Sequence, residues 1–409
     1  MNEILLINAS GHDQPGVTRA ISHVLARAGA RVLDIGQAVI HDTLALGILI
    51  ELPVVGDART QLLEQIQQAT QPLGIHVRFQ TIAADSYEQW AEQQGKTRHI
   101  VTLLARQIDA VMIAELTEIT SRHGLNIDSI SRLSGRVSLA DLDAGDAHAG
   151  SACVEFSVRG MPADLVALRS DFMDLSARLN IDVAFQRDTV YRRNRRLVCF
   201  DMDSTLIEAE VIDELAKAAG VGEQVSEITE AAMRGELDFK QSFARRMALL
   251  KGLDESVLAG IAQELRITEG AEKLISSLKK LGYKTAILSG GFNYFGQYLQ
   301  TKLGIDYVYA NELDIVDGKV TGEVKGIVVD GQRKAELLAM LAKQEGIELE
   351  QVIAVGDGAN DLPMLSVAGL GVAFRAKPLV KASAEHAISN LGLDAILYLL
   401  GFRERDKLL

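Results

Sequence analysis

No window of the 409-residue chain approaches the roughly 18 uninterrupted apolar residues that a bilayer-spanning helix requires. The opening residues, Met1-Asn2-Glu3-Ile4, lack the basic flank and cleavage pattern of a secretory leader, so a cytoplasmic protein with no membrane partner is expected. Cysteine is nearly absent. Cys153 and Cys199 stand far apart in apolar, strand-like surroundings without metal-ligand spacing, which points to reduced core residues rather than a disulfide or a zinc site. Positive charge is in deficit. A formal net charge of −13 excludes a general nucleic-acid binder, because phosphate backbones are held by clustered Lys and Arg. The one basic cluster, Arg187, Arg192, Arg193, Arg195 and Arg196, precedes an apolar strand and is expected to be a solvated linker. Low-complexity tracts are also missing, and with 48% hydrophobic and 24% charged residues the composition is that of a globular protein. A chain of this length suits two or three domains, each able to bury its own core.

The first part of the chain repeats one supersecondary unit, βαββαβ. In the first copy, Ile4-Leu5-Leu6-Ile7 reads as a strand and Gly11-His12-Asp13-Gln14-Pro15-Gly16 as a turn. A helix follows from Val17 to Ala28 with Val17, Ile21, Val24, Leu25 and Ala28 on one face. Strands at 31–40 and 43–52, a helix carrying Leu62, Leu63 and Ile66, and a strand at 75–79 complete it. The second copy has strand 100–104, helix 111–122, strands 126–133 and 153–158, a helix 162–179 opened by Pro162, and strand 181–185. A polar, Gln-rich connector at 85–97 separates them. The domains expected are therefore 1–84, 97–187 and 195–409.

From Arg195 onward, short apolar strands alternate with helices, the pattern of a Rossmann-like α/β domain with a parallel sheet. A largely helical segment at 207–265 is too long for one crossover and reads as an inserted cap. Three polar clusters fall just beyond strand ends, where a parallel sheet places its active site. They are Asp201-Met202-Asp203-Ser204-Thr205, Ser289-Gly290-Gly291 and Gly356-Asp357-Gly358-Ala359-Asn360-Asp361, while Lys334 opens a helix before the third strand. Carboxylates converging at one edge repel one another and raise each other's pKa, so a cation is required. Oxygen donors without His or Cys select magnesium over zinc. Magnesium, Lys334 and a hydroxyl together make a phosphate clamp. Of the two aspartates after the first strand, Asp201 is expected to attack phosphorus, and Asp203 to protonate the leaving oxygen and later activate water.

In these motifs, Asp201 to Thr205, Ser289, Lys334 and Asp357 to Asp361, the region from Arg195 to the C-terminus resembles the haloacid dehalogenase superfamily, and within it the branch acting on O-phosphoserine. The resemblance implies a magnesium-dependent phosphatase of serine biosynthesis working through an aspartyl phosphate. It implies a metal held by the carboxylates of Asp201 and Asp357 and the backbone carbonyl of Asp203, with Asp361 supporting Lys334 or the water shell. It further assigns Glu210 to the substrate ammonium, Arg246 to its carboxylate, Met233 and Phe239 to an apolar lid, and Ser289, Gly290 and Asn360 to further substrate contacts. The N-terminal repeats resemble ACT domains, regulatory modules that bind amino acids at paired interfaces. That resemblance implies an amino-acid effector at the first loop, with Asp13 and Gly16 as contacts, and a homodimer. In the second copy Ala105 and Ala110 replace the two loop glycines. Two alternatives remain open at this point. One is a phosphatase or phosphomutase for another small phosphomonoester; the other is an amino-acid sensor with a vestigial catalytic domain.

Overall fold

A computed structural model of the protein describes residues 3–53, 56–93, 95–136 and 150–404, with the Met233 side chain outside the described set. The chain divides into two compact units, Met1–Lys96 and Thr97–Leu409.

In the first unit, β1 (Glu3–His12), β2 (Arg31–Ile40), β3 (Thr43–Leu52) and β4 (His76–Ile82) form an antiparallel sheet in the order β2-β3-β1-β4. Helices Val17–Arg27 and Asp57–Thr70 cover one face. Alternation along β1 and β3 sends Leu5, Ile7, Ile48 and Ile50 inward against Ile21, Leu25 and Ile66. The expected turn is shorter than the glycines suggested. β1 runs on through His12, opposite Thr43, because β3 is long enough to pair the backbone of Gly11 and His12. The Gln-rich connector is largely helical, Ala84–Gln93. Its Ala, Glu and Gln are strong helix formers, and Asp85 sits favourably in the first turn.

The second unit opens with the same topology. β5 (Arg98–Ala105), β6 (Asn126–Arg132), β7 (Ala152–Arg159) and β8 (Asp182–Arg187) are ordered β6-β7-β5-β8, with helices Ala110–Arg122 and Leu165–Leu179. The latter helix starts three residues after Pro162, where Asp164 accepts a hydrogen bond from the Ala167 N–H and caps it. Burial differs sharply between the repeats. β2 of the first is exposed almost throughout, whereas β5 is buried on both faces. One face meets its own helices. The other places Leu104, Cys153 and Ala184 in a core shared with Leu393, Ile396 and Leu397 near the C-terminus.

Polar contacts reinforce that junction. Asp182 accepts hydrogen bonds from the Ser389 and Asn390 N–H groups, both at 2.9 Å. Gln186 Nε2 and Arg192 Nε both donate to the Leu399 carbonyl at 3.2 Å. The expectation of a solvated basic linker is therefore corrected. Arg187, Arg193 and Arg196 are exposed, but Arg192 is 1% exposed and ion-paired with Glu155, and Arg195 is buried and donates to the Glu350 carbonyl. The stretch runs between packed layers whose carbonyls need donors. Both cysteines are buried and free.

The remaining strands form a seven-stranded sheet, β12-β11-β10-β9-β13-β14-β15, whose last two members are Leu370–Phe374 and His386–Ile388, parallel except for the β11/β12 hairpin. The central β9 (Leu197–Phe200) lies between β10 (Lys284–Phe292) and β13 (Val352–Gly356). Its residues alternate between two cores. Val198 and Phe200 pack toward Leu274 and Leu299, while Leu197 and Cys199 pack toward Leu338 and Leu341. β11 (Tyr307–Val316) and β12 (Lys319–Lys325) are joined through Asp317 and Gly318 at φ 50 and 74, as a type I′ hairpin turn requires. Four helices between Val211 and Glu264 form the cap. Its two connecting segments pair: Glu208 N–H donates to the Arg266 carbonyl and Thr268 N–H to that of Leu206, each at 3.0 Å. Among the described residues no helix is long and apolar enough to cross a membrane.

Candidate active site

Connectivity reverses at β9, since the chain leaves it for β10 on one side and later returns to β13 on the other. That reversal opens a crevice beyond the carboxyl ends of the strands. Asp201 stands there directly after β9, with its N–H bonded to the Val355 carbonyl of β13. Lys334 enters on helix Gly331–Glu345, which is capped by Asp330. Its Nζ, fully buried, lies 2.8 Å from Asp201 Oδ1 and 2.7 Å from Asp361 Oδ1. The Met202 N–H also donates to Asp201 Oδ1, at 2.8 Å, so two bonds fix the rotation of that carboxylate. Asp361 is locked in turn by the Gly358 N–H on its other oxygen.

Carboxylate oxygens of Asp201, Asp357 and Asp361 lie within 4.8 Å of one another, an arrangement able to hold a metal ion. Asp203 turns aside from this group. Its Oδ1 accepts the Val211 N–H at the start of the cap, and its Oδ2 lies against Gly291, where a Cβ would come within 2.5 Å of it. A side chain at Gly291 would have to displace the ends of Asp203 and Met202. At Gly290 a Cβ would meet only ordinary contacts at 3.5 Å, so close packing falls on the second glycine of the pair rather than the first. Ser289 is buried and its Oγ accepts the Gly291 N–H.

Electrostatics follow from this crowding. Burial, then the Asp361 carboxylate, pushes Asp201 up to about 8 against the pull of Lys334. Burial and the charges of Asp361 and Glu210 push Asp357 up to about 7. Asp203 is raised well above the usual range by burial and by Glu210 and Asp201. For Lys334, burial alone would lower the pKa, but Asp201 and Asp361 outweigh it and hold the ammonium charged. The cluster thus carries more negative charge than its one lysine neutralises, and its donors are all oxygen. That is the chemistry of a hard divalent cation site.

The cap contributes the other charges. Ser204, at φ 55, donates from Oγ to Glu210 at 2.7 Å. Arg246, in the last turn of helix Phe239–Leu249, is half-buried, and its Nε is a buried donor with no hydrogen-bond partner. Burial lowers its pKa, opposed by Asp213, Glu210 and Asp203. Phe239 lies 3.5 Å from the position a Gly290 Cβ would take, so that ring packs against the loop after Ser289, whereas the Met233 side chain lies outside the described residues. Asn360 sits in the short turn at 359–361, its backbone against Gly331 at the head of the Lys334 helix. Asn311 was missed by sequence reasoning. It is 2% exposed, donates to the Gly290 carbonyl at 2.7 Å and accepts the Val329 N–H at 2.8 Å, fixing the loop after β10. The only signal was an amide directly after the apolar run Tyr307-Val308-Tyr309-Ala310. Asp13 and Gly16 lie in the first unit, both exposed, with Gly16 at φ 102 heading the first helix.

Comparison with known proteins gives the lineage. The haloacid dehalogenase-like hydrolase family matches residues 195–369, and the ACT domain family matches residues 3–80. A phosphoserine phosphatase of Streptomyces coelicolor is 40% identical over 98% of this chain and 93% of its own length. The chain belongs to the phosphoserine phosphatase family. A second relative with that description, from Mycobacterium tuberculosis, is 38% identical over 97% of this chain and 93% of its own. Among solved structures, a haloacid dehalogenase family hydrolase of Salmonella enterica serovar Typhi superposes with a TM-score of 0.62 at 30% identity, covering 74% of this chain and 98% of that one. Both full-length relatives span the N-terminal repeats as well as the seven-stranded sheet, so the family assignment covers the whole architecture.

Proposed function

We propose that the protein hydrolyses O-phosphoserine to serine and phosphate, with Asp201 as nucleophile and Asp203 as acid and base. The observation that carries this reading is a cap presenting Arg246, half-buried with an Nε that has no hydrogen-bond partner, in the field of Glu210 and Asp203, together with the buried Asp201–Lys334 pair at the strand ends. A zwitterion with a phosphate tail satisfies all three at once. Arg246 would take the carboxylate through its fork, Glu210 the ammonium, and Lys334 with the Ser289-Gly290 loop and Asn360 the phosphate.

In the proposed reaction Asp201 attacks phosphorus and the serine Oγ leaves. Asp203, whose pKa is raised and whose Oδ1 is anchored by Val211, holds a proton on Oδ2 for that leaving oxygen. The same carboxylate then takes a proton from the water that hydrolyses the aspartyl phosphate. Phe239, packed against the β10 loop, would keep water from the first step.

The oxygen-only donor set fits magnesium. Asp201 and Asp357, with the Asp203 carbonyl, would hold it, and Asp361 would support Lys334. Bound there, the ion would offset the carboxylate charges and attract the phosphate oxygens. We read the chain as regulatory repeats at 1–84 and 97–187 and a catalytic region at 195–409, in a cytoplasmic homodimer. An amino-acid effector would sit at the Asp13 to Gly16 loop.

The test is a rate comparison across O-phosphoserine, O-phosphothreonine, a sugar phosphate and a nucleotide, on chelated protein with and without added magnesium. O-phosphoserine should be preferred and turnover should depend on the ion. A sugar phosphate used equally well would point to another phosphomonoester, and no turnover at all would favour a sensor.

A further inference from the structure

The loop after β5 occupies, in the second repeat, the place that the Asp13 to Gly16 loop occupies in the first. With Ala105 and Ala110 in place of the loop glycines, it also carries Arg106, and this guanidinium is engaged. Its Nη1 and Nη2 donate to the two oxygens of Glu269 at 2.8 and 2.9 Å, a bidentate fork. Glu269 follows the cap's return segment directly, since Thr268 is hydrogen-bonded to Leu206 across the hinge. Its backbone is fixed as well, because its carbonyl accepts the Leu393 N–H. A second guanidinium, Arg375, also binds the Glu269 carboxylate and approaches Glu208, on the outgoing hinge segment, at 4.0 Å. Arg375 holds a left-handed backbone at φ 45 just after β14. A non-glycine residue keeps that conformation only where its surroundings impose it.

From these contacts we infer that Arg106 is a positioning residue for the cap: the second repeat uses its loop to grip Glu269 and, through Arg375 and Glu208, sets the angle of both hinge segments. The mechanical link to the site is short. Leu206 and Ile207 are tied by their N–H groups to the Met202 carbonyl, and the next cap residues are Glu210, bonded to Ser204, and Val211, bonded to Asp203. A change at the hinge therefore moves the two groups that read the substrate and hold the proton donor. The loop's anion is supplied in cis by the catalytic region, so the repeat acts as a clamp and needs no free ligand. Burial of β5 on both faces suits a fixed element better than a regulatory module that must move.

This inference rests on the proposed phosphoserine reading for one of its two tests. In the full-length protein, Arg106→Ala should raise KM for O-phosphoserine about 3- to 10-fold, the scale of a half-exposed bidentate pair. It should lower kcat/KM for p-nitrophenyl phosphate, which has no ammonium or carboxylate for the cap to read, by a clearly smaller factor, through Val211 and Asp203 alone. Arg106→Lys should recover part of the loss. Equal losses on both substrates, tracking a lower melting temperature, would mean that Arg106 only stabilises the fold and would overturn the inference. The second test needs no substrate. Amide hydrogen exchange at 206–208 and 267–269 should speed up in Arg106→Ala while β9 and β13 stay protected, and unchanged hinge exchange also overturns the inference. If wild-type protein shows no preference for O-phosphoserine, the substrate reading fails on its own and hinge exchange still decides the clamp.

Discussion

Lys334→Met removes the one cation that, among the described residues, touches both Asp201 and Asp361, while keeping nearly the same volume. In the wild-type protein the ammonium is fully buried, 2.8 Å from one carboxylate and 2.7 Å from the other. Breaking a buried pair by deleting one partner costs about 3 to 5 kcal/mol, because the abandoned charges cannot reach water. Here two carboxylates are abandoned together, so one must take up a proton. Spread over the Thr97–Leu409 unit, the loss corresponds to a fall in melting temperature of roughly 5 to 8 °C. Because protonation relieves the penalty, the deficit should be largest at high pH and shrink toward pH 5. Calorimetry of wild type and variant across that range, with magnesium absent and present, measures it. Adding Asp361→Asn to Lys334→Met should recover most of the stability, since one unpaired charge is then gone, but none of the activity. A single variant as stable as wild type at pH 8 would refute the view that Lys334 holds a strained carboxylate cluster together.

Three further outcomes are expected. Arg246→Ala should weaken use of O-phosphoserine by about 1.5 to 3 kcal/mol in kcat/KM, the range for a charged hydrogen bond, and spare a phosphomonoester without a carboxylate; equal losses on both would assign Arg246 to the fold. His386 is buried in β15, and burial first of all lowers it to about 4, so the folded protein holds it neutral. Unfolded chain binds that proton near pH 6.5, so its contribution to stability is complete above 6.5 and is lost as pH falls toward 4, by up to about 3 kcal/mol. Denaturation midpoints of His386→Leu should be correspondingly less sensitive to pH in that window, and parallel curves would refute the assignment. Serine should change activity about 5- to 150-fold at saturation if it couples through the first repeat, and Asp13→Ala should remove the effect. An identical serine response in a chain beginning near Arg187 would place the effect at the catalytic site.

Elements with strong periodicity were legible before any coordinates. The β3 bounds and the Val17 helix were read almost residue for residue, because alternation and the three-to-four spacing report burial directly; β2, exposed almost throughout and paired with β3, was legible instead from its β-branched residues. Asp201, Lys334, Asp357 and Asp361 do converge, since each follows or precedes an apolar strand of one parallel sheet. What the sequence did not disclose is long-range. Arg192 and Arg195 look like linker charges until the Leu399 and Glu350 carbonyls are brought to them by packing. The Arg106–Glu269 fork spans 163 residues and leaves no local pattern. Helix 84–93 was hidden by its own polarity, for it buries no residue and so lacks an apolar stripe.

The central claim is that Asp201 becomes phosphorylated and Asp203 moves the proton. Steady-state rates on O-phosphoserine, with rapid-quench detection of phosphoenzyme, separate the two roles. Asp201→Asn should abolish both turnover and phosphoenzyme. Asp203→Asn should retain the ability to be phosphorylated and lose about 10²- to 10⁴-fold in rate, as expected when an acid–base group is removed. Near-normal turnover, or a trapped phosphoenzyme, in Asp201→Asn would contradict the account.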